Sequence, residues 1–145
     1  MRDEALPVTP IAPVGRSYKN IDTFQEHVMS DDTIFRKIIR REIPADIVFE
    51  DEHLIAFRDI APQAPVHVLV VPKTPIATLN DVQASQAEII GKLAIAAAGY
   101  AKQQGFAEDG YRIVMNCNAH GGQTVFQIHL HLLAGAPLGR FGTTF

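Results

Sequence analysis

Residues 127–133 read QIHLHLL, a run in which two histidines alternate with apolar residues behind a leading glutamine. Alternation with a period of two is typical of a β-strand, because successive side chains of a strand point to opposite faces. One face is expected to lie in the core and to carry Ile128, Leu130 and Leu132. The opposite face is expected to carry three polar side chains about 7 Å apart, namely Gln127, His129 and His131.

Three interpretations of this histidine pair stay open from the residues alone. The first is a half-exposed strand face on which histidine is simply tolerated. The second is a metal site, since histidine is a common zinc ligand, with His120 or Cys117 as the third ligand. The third is nucleophilic catalysis, because a neutral imidazole can form covalent intermediates.

The segment before this strand, NCNAHGGQT at residues 116–124, favours the catalytic interpretation. Gly121 and Gly122 allow the backbone to approach a ligand closely and leave its amides free as anion donors. Uncharged polar side chains accompany them at Asn116, Gln123 and Thr124. A plain Gly-Gly turn is the alternative, but a GGQT loop that leads directly into Q-x-H-x-H is much more specific.

The overall composition is that of an ordinary globular chain and limits its partners. The formal net charge is -3 and the pI is about 6.0, so long-range attraction to nucleic acid or to anionic membranes is not expected. No apolar run reaches the roughly 18 residues of a membrane span. Cys117 is the only cysteine, which excludes an intrachain disulfide and fits a reducing, cytoplasmic location.

The chain divides into an extension and one domain. Residues 1–30 contain several prolines and show no sustained helical or strand period, so we interpret them as a poorly ordered N-terminal extension. Residues 31–145 are interpreted as the domain. Its helix signals are Asp31 or Asp32 as the cap of a short helix, Ser85 as the cap of a long helix, and Gly105 as its end.

The order of the elements predicts the fold class. The short helix over TIFRKIIRR is followed by strands over DIVFED, LIAFRD and VHVLVVP. The long helix over SQAEIIGKLAIAAAGYAKQQG is then followed by strands over GYRIVMNCN and VFQIHLHLL. This order predicts an α+β domain with a mainly antiparallel five-stranded sheet, one long helix and one short helix.

QIHLHLL resembles the histidine-triad signature of the HIT superfamily, His-φ-His-φ-His-φ-φ, in which φ is an apolar residue. The stretches DTIFRKIIRREIPADIVFEDEHLIAFRDIAPQAPVHVLVVPK, GYRIVMN and GGQTVFQIHLHLL resemble the Hint branch, the histidine-triad nucleotide-binding proteins. The similarity covers about residues 31–138. It implies a HIT-like fold and a homodimer whose sheet continues across both copies. It also implies a cofactor-free, metal-independent hydrolase of purine nucleoside 5′-phosphoramidates that binds AMP-type or GMP-type nucleotides.

The resemblance also assigns roles to positions of this sequence. His129, in the middle of the triad, would attack the α-phosphorus, expel an amine and form a nucleotidyl-histidine that water hydrolyses. His131 would bind phosphate oxygens or handle the leaving-group proton, and His67 would stand behind the nucleophile. Nucleotide contacts are implied for Ile43, Phe57, Asp59, Ile60, Asn116, Gly122, Gln123 and Thr124. Without the resemblance, Ile43, Phe57 and Ile60 are more simply interpreted as core residues. Asp59 is then a turn residue before Pro62.

The chain departs from the family pattern at two places. Gln127 occupies the first triad position, where the family has histidine, and glutamine keeps hydrogen-bonding capacity but cannot titrate. We therefore expect an active hydrolase with an altered rate or leaving-group preference. Residues 134–136 read AGA where the Hint branch usually has Gly-Gly-Arg, which leaves the leaving-group preference open.

Two other functions stay open. One is a nucleotide-binding or partner-interaction module with little turnover, which is compatible with glutamine in place of the first triad histidine. The other is a dinucleoside polyphosphate hydrolase of a sister branch, against which the Hint-like stretches IPADIVFED and APQAPVHVLVVPK argue.

Overall fold

A computed structural model describes residues 32–142 of the chain, and the predicted extension over residues 1–30 lies outside the described residues. The elements are α1 (Ile34–Ile39), β1 (Ile47–Glu50), β2 (Leu54–Arg58), β3 (Val66–Pro72), α2 (Ala87–Gln104), β4 (Arg112–Val114), α3 (Asn118–Gly121) and β5 (Leu130–Ala134). Two short 3-10 turns, Leu79–Asp81 and Ala84–Gln86, lie between β3 and α2. None of the helices described has the length and apolar character that a membrane span requires.

The five strands form one sheet in the order β1-β2-β3-β5-β4, and every neighbouring pair is antiparallel. The predicted α+β class and the antiparallel five-stranded sheet are therefore confirmed. β3 is the central strand, and its register with β5 places His67 opposite Leu133 and Leu69 opposite His131. This register makes His67 and His131 diagonal neighbours on one face of the sheet, within reach of each other.

The two faces of the sheet are covered by different helices. On one face, Leu93 and Ala97 of α2 pack against alternate residues of β2, β3 and β5, including Leu54, Val68 and Leu132. On the other face, α1 packs Phe35 and Ile38 against the remaining residues of β2 and β3, namely Ile55, Phe57, Leu69 and Val71. Both faces of β3 are therefore buried, which explains its nearly continuous valine-rich sequence.

Two of the predicted helix caps are wrong. Thr33 caps α1, because its side chain accepts a hydrogen bond from the backbone N–H of Arg36 at 3.2 Å, so the predicted cap at Asp32 is wrong, and Asp31 lies outside the described residues. Ser85 lies inside the 3-10 turn that precedes α2, whose N-cap is Gln86 without a side-chain capping bond. The end of α2 is as predicted, since Gly105 has a φ of +90°, the left-handed conformation that glycine adopts readily.

The last strand is shorter than predicted, and this changes the environment of the histidines. β5 begins at Leu130, so Gln127 and His129 lie in the irregular segment that leads into it. The backbone N–H of Ile128 bonds instead to the carbonyl of Ile76, at 2.8 Å. Gln127 and His129 are only 2% and 7% exposed, so the half-exposed strand face is also a wrong interpretation. β4 is likewise limited to Arg112–Val114 within the predicted GYRIVMNCN.

Candidate active site

His129 is held by a single hydrogen bond that fixes where its ring proton lies. Its Nδ1 is 2.8 Å from the backbone carbonyl oxygen of Gln127. A carbonyl can only accept, so Nδ1 carries the proton and Nε2 keeps its lone pair. The edge-to-face ring of Phe35, with centroids 4.8 Å apart, fixes the imidazole from the side of α1. The free lone pair on Nε2 is what a nucleophilic histidine requires.

His131 contacts His67 across the β3–β5 pair. The His67 Nε2 and His131 Nδ1 atoms lie 2.9 Å apart, and the His131 and His129 ring centroids are 5.0 Å apart. His67 is 6% exposed, and its other nitrogen, Nδ1, accepts a hydrogen bond from the backbone N–H of Gln63 at 3.0 Å. The structure therefore places His67 directly behind His131, whereas the family resemblance implied a position behind His129.

Asp59 stands at the end of β2 beside these rings. Its Oδ1 accepts from the backbone N–H of Ala61 at 2.8 Å, and its Oδ2 lies 3.4 Å from His67 Nε2. The Asp59 backbone N–H bonds to the carbonyl of His67, which fixes the carboxylate at the mouth of the site. A half-buried carboxylate with remaining lone pairs can accept hydrogen bonds from ligand hydroxyls.

Gln127 is a buried anchor and does not line the cavity. Its Nε2 donates to the carbonyl oxygens of Pro72 and Thr74, at 2.9 and 3.0 Å. One amide nitrogen has two N–H groups, so Gln127 serves both carbonyls without carrying a charge. Its own backbone carbonyl is the acceptor for His129, so the residue connects the end of β3 to the orientation of the candidate nucleophile.

The GGQT loop is built on a second buried amide. Gln123 is 6% exposed, accepts from the backbone N–H of Asn118 at 2.8 Å, and donates to the carbonyls of Ala77 and Val125. The side chain of Gln123 is therefore used inside the protein, although we predicted it as a nucleotide contact. Gly122 has a φ of +90°, and the side-chain nitrogen of Asn116 lies beside it.

A cavity of about 300 Å³ opens in front of His129 and His131, on the α1 side of the sheet. Four of the predicted nucleotide-binding residues line it: Phe57, Asp59, Ile60 and Thr124. Its walls also include residues that sequence reasoning missed: Ile34, Phe35, Ile38, Arg58, Leu69 and Val125. Ile34, Phe35 and Ile38 follow the apolar period of the short helix, which is a signal for packing and not for a ligand. A cavity of about 340 Å³ beside α2 is slightly larger, but neither His129 nor His131 lines it.

The other predicted contacts lie around this cavity. Ile43 packs against the apolar cluster under α1 and does not line the cavity. Asn116, Gly122 and Gln123 belong to the loop behind Thr124, and His67 and Gln127 lie behind the two histidines. The structure therefore brings His129, His131 and half of the nucleotide-binding candidates to one cavity and places the remaining predicted residues behind them.

Burial controls the protonation of the three histidines. It lowers the pKa of His131 to about 4, an effect that His129 and His67 increase and that Asp59 opposes. Burial also lowers the pKa of His129, while the Gln127 carbonyl and Asp59 act in the opposite direction. The pKa of His67 is lowered by burial and raised less by Asp59. All three rings are therefore neutral at neutral pH, each with one N–H and one lone pair.

Metal binding through His120 or Cys117 is a wrong interpretation. Within residues 32–142, the one group of potential metal ligands is Asp59, His67 and His131, whose ligand atoms lie within 4.8 Å of one another. This group could hold a metal ion only if His67 offered a lone pair on Nε2, because its Nδ1 already faces the Gln63 amide.

Comparisons with known proteins identify the family of the chain. The model of the HIT domain family matches residues 40–138. Purine nucleoside phosphoramidase of Escherichia coli strain K12 is 57% identical over 111 residues, which are 77% of this chain and 93% of that protein. The 14 kDa zinc-binding protein of Zea mays is 50% identical over 108 residues, 73% of this chain and 84% of that protein.

A solved structure has a similar fold. The HIT family hydrolase from Legionella pneumophila Philadelphia 1 has a TM-score of 0.73 and 49% sequence identity, and the match covers 74% of this chain and 96% of that one. The family model spans most of the chain, and the identities extend over nearly the full length of the relatives. The chain therefore belongs to the HIT domain family.

Proposed function

We propose that this protein is an enzyme that hydrolyses purine nucleoside 5′-phosphoramidates, with His129 as the nucleophile. The observation that carries the proposal is the bond from His129 Nδ1 to the Gln127 carbonyl, which leaves a neutral ring with a free Nε2 beside a ligand-sized cavity. The name of the Escherichia coli relative supports the substrate class.

The reaction proceeds in two displacements at phosphorus. His129 Nε2 attacks the α-phosphorus, a new N–P bond forms, the bond to the amine breaks, and the amine leaves with a proton from solvent. Water then attacks the nucleotidyl-histidine, the bond from His129 to phosphorus breaks, the water gives a proton to solvent, and the nucleoside monophosphate is released with His129 again neutral. A hydrogen bond from His131 to a non-bridging oxygen stabilises charge at phosphorus in both steps. The scheme requires no metal ion and no cofactor.

The nucleotide occupies the cavity in a defined direction. Phe57 and Ile60, the latter 93% exposed at the mouth, contact the purine base. The carboxylate of Asp59 accepts hydrogen bonds from the ribose hydroxyls. Thr124, with Asn116 and the Gly122 amide behind it, contacts the phosphate. Ile43 and Gln123 support these walls from behind.

A second copy of the chain is part of the same proposal. β4 lies at an edge of the sheet, where its backbone groups are open to pairing. Tyr111, just before β4, and Ile113, within it, are 37% and 41% exposed. Ile95 on α2 is 73% exposed. We expect a homodimer whose sheet continues through β4, in a cytoplasmic location. A monomeric mass by light scattering at micromolar concentration would contradict the dimer.

The experiment measures AMP release from adenosine 5′-phosphoramidate by metal-stripped protein. His129→Ala should abolish release, whereas His53→Ala should not change it, because His53 is an exposed histidine that pairs with Glu52 away from the cavity. Acid quenching during turnover should trap a protein mass increased by one adenylyl group, and His129→Ala should lack that adduct.

Three outcomes would overturn the proposal. AMP release that survives in His129→Ala would exclude the covalent route. AMP binding without release by the wild-type protein would favour the nucleotide-binding module, and release of AMP only from a dinucleoside polyphosphate would favour the sister-branch hydrolase.

A further inference from the structure

A backbone amide faces the buried side of the histidine pair. The N–H of Gln63, in the loop between β2 and β3, points at Nδ1 of His67 at 3.0 Å. A nitrogen that accepts this hydrogen bond must keep its lone pair, so the single proton of a neutral His67 lies on Nε2. The opposite tautomer would place two N–H groups face to face at this distance.

The same proton decides the state of the next ring. His67 Nε2 lies 2.9 Å from His131 Nδ1 and 3.4 Å from the Asp59 carboxylate, so His131 Nδ1 is the nearer acceptor. An accepting Nδ1 on a neutral His131 requires that the proton of His131 lie on Nε2. His131 therefore enters the cavity as a hydrogen-bond donor, in contrast to His129, whose Nε2 carries a lone pair.

We propose that the backbone amide of Gln63 locks His67 in the Nε2–H tautomer and thereby holds His131 as a neutral Nε2–H donor to the substrate phosphate. Gln63 and His67 are thus positioning residues. In this chain of hydrogen bonds, Gln63 donates to His67, His67 donates to His131, and His131 donates into the cavity. The role of the lock in turnover rests on the proposed function, but the proton positions do not.

The lock also acts on metal ions. A divalent metal bound to Asp59, His67 and His131 would need a lone pair on His67 Nε2, which would move the ring proton to Nδ1, against the Gln63 N–H. The amide therefore disfavours metal binding at a group of side chains that would otherwise suit zinc.

The first test reads the tautomers of the wild-type full-length protein by nuclear magnetic resonance with ¹⁵N-labelled histidine, at about pH 8, well above the ordinary histidine pKa of about 6.5. Ring ¹⁵N shifts distinguish a protonated nitrogen from one with a lone pair, and His67→Gln and His131→Gln assign the signals. We expect His67 and His131 to carry their protons on Nε2 and His129 on Nδ1. A proton on Nδ1 of His67 would overturn the proposal without any reference to activity.

The second test removes the amide itself. Gln63→Pro has no backbone N–H, whereas the matched variant Gln63→Ala keeps the N–H and loses only the side-chain bond to the Ala61 carbonyl. Gln63→Ala should keep the wild-type tautomers. Gln63→Pro should show both tautomers of His67 and should bind added Zn²⁺, seen as shifts of the His67 and His131 signals that are absent from Gln63→Ala.

The kinetic readout is separate from these spectra. With adenosine 5′-phosphoramidate, kcat of Gln63→Pro should fall on the order of tenfold, the value of about one hydrogen bond in the transition state, with a much smaller change in KM. Equal kcat values for Gln63→Pro and Gln63→Ala would overturn the catalytic role of the lock. An inactive wild-type protein with the expected tautomers would instead contradict the proposed function alone. If Gln63→Pro does not fold, the wild-type tautomers still decide the proposal.

Discussion

The side-chain Nε2 of Gln127 lies 2.9 Å from the carbonyl oxygen of Pro72, at the point where the central strand ends. A second bond, to the carbonyl of Thr74, makes the amide a two-point anchor. Because the next atoms along the chain include the carbonyl that orients His129, the anchor and the nucleophile belong to one hydrogen-bonded unit.

Replacing the anchor with histidine should alter turnover more than binding. A neutral histidine at position 127 has a single N–H and can serve only one of the two carbonyls. We expect Gln127→His to change kcat on adenosine 5′-phosphoramidate by about tenfold, while the Kd for AMP changes by less than about threefold. An unchanged rate and pH–rate profile would show that the amide geometry has no influence on His129.

Removing the anchor should destabilise the fold. Gln127→Leu removes the donor to the buried carbonyl of Pro72 and to the partly buried carbonyl of Thr74, which costs about 1–3 kcal/mol of unfolding free energy. Urea unfolding measures this difference, and Gln103→Leu, an exposed position on α2, is the matched control, for which we expect a change within about 0.5 kcal/mol. Equal stability of the two variants would contradict the anchoring role.

The protein should lose stability as the pH falls from about 6.5 toward about 4. The pKa of His131 is lowered to about 4 in the folded protein, compared with about 6.5 in the unfolded chain. The unfolded chain therefore binds more protons in this window, and the free energy of unfolding decreases with acidification by up to about 3 kcal/mol from this group. His131→Gln should flatten the decrease measured by urea unfolding at several pH values, and an identical slope in both proteins would refute the assignment.

Gly135 should tolerate no side chain. Its φ is +100°, and a Cβ would lie 2.8 Å from Cβ of Pro65 and 3.3 Å from the Val66 nitrogen. Gly135→Ala should lower the free energy of unfolding by about 2–3 kcal/mol through strain and overpacking. Gly110→Ala isolates the backbone part, because Gly110 has a similar φ of +109° with open space around it, and we expect it to lose only about 1 kcal/mol. Thermal or urea unfolding of both variants tests the difference.

The role of Asp59 can be tested with paired ligands. Asp59→Asn removes the charge from the carboxylate, so affinity for AMP should fall by about tenfold to a hundredfold. Affinity for 2′,3′-dideoxy-AMP, which lacks the ribose hydroxyls, should change little. Titration calorimetry with both nucleotides measures the two affinities. An equal loss of affinity for the two nucleotides would mean that Asp59 supports the structure of the site and does not bind the ribose hydroxyls.

The sequence could predict the parts of the fold that depend on periodicity. The valine-rich β3, the apolar stripe of α2 and the glycine at its end each follow local rules, and the structure has them. The β5 prediction extended too far toward the N-terminus, because the alternation of QIHLHLL continues through residues whose backbone bonds leave the ladder. Only the tertiary position of the 72–77 segment decides where pairing begins.

The site could be predicted only in part for a similar reason. The histidines and the GGQT loop form a motif, so their proximity follows from the strand they share. The buried roles of Gln123 and Gln127 depend on contacts with segments 46 and 55 residues away, at separations that no local pattern encodes. The Gln63 amide lies only four residues from His67, but its link to the cavity passes through the contact of His67 with His131, 64 residues away. Thr33 caps α1 in preference to the adjacent Asp32, which shows that local geometry decides between neighbouring capping candidates.

The central position of β3 has a consequence for thermal unfolding and the loss of activity that accompanies it. His67 lies on a strand that is paired on both sides and buried on both faces, so its backbone amides can exchange with solvent only when the whole sheet opens. The ring that orders the catalytic protons is thus anchored in the part of the molecule that melts last. Enzymatic activity should therefore not outlast the sheet, and no active form should remain above the midpoint of sheet unfolding.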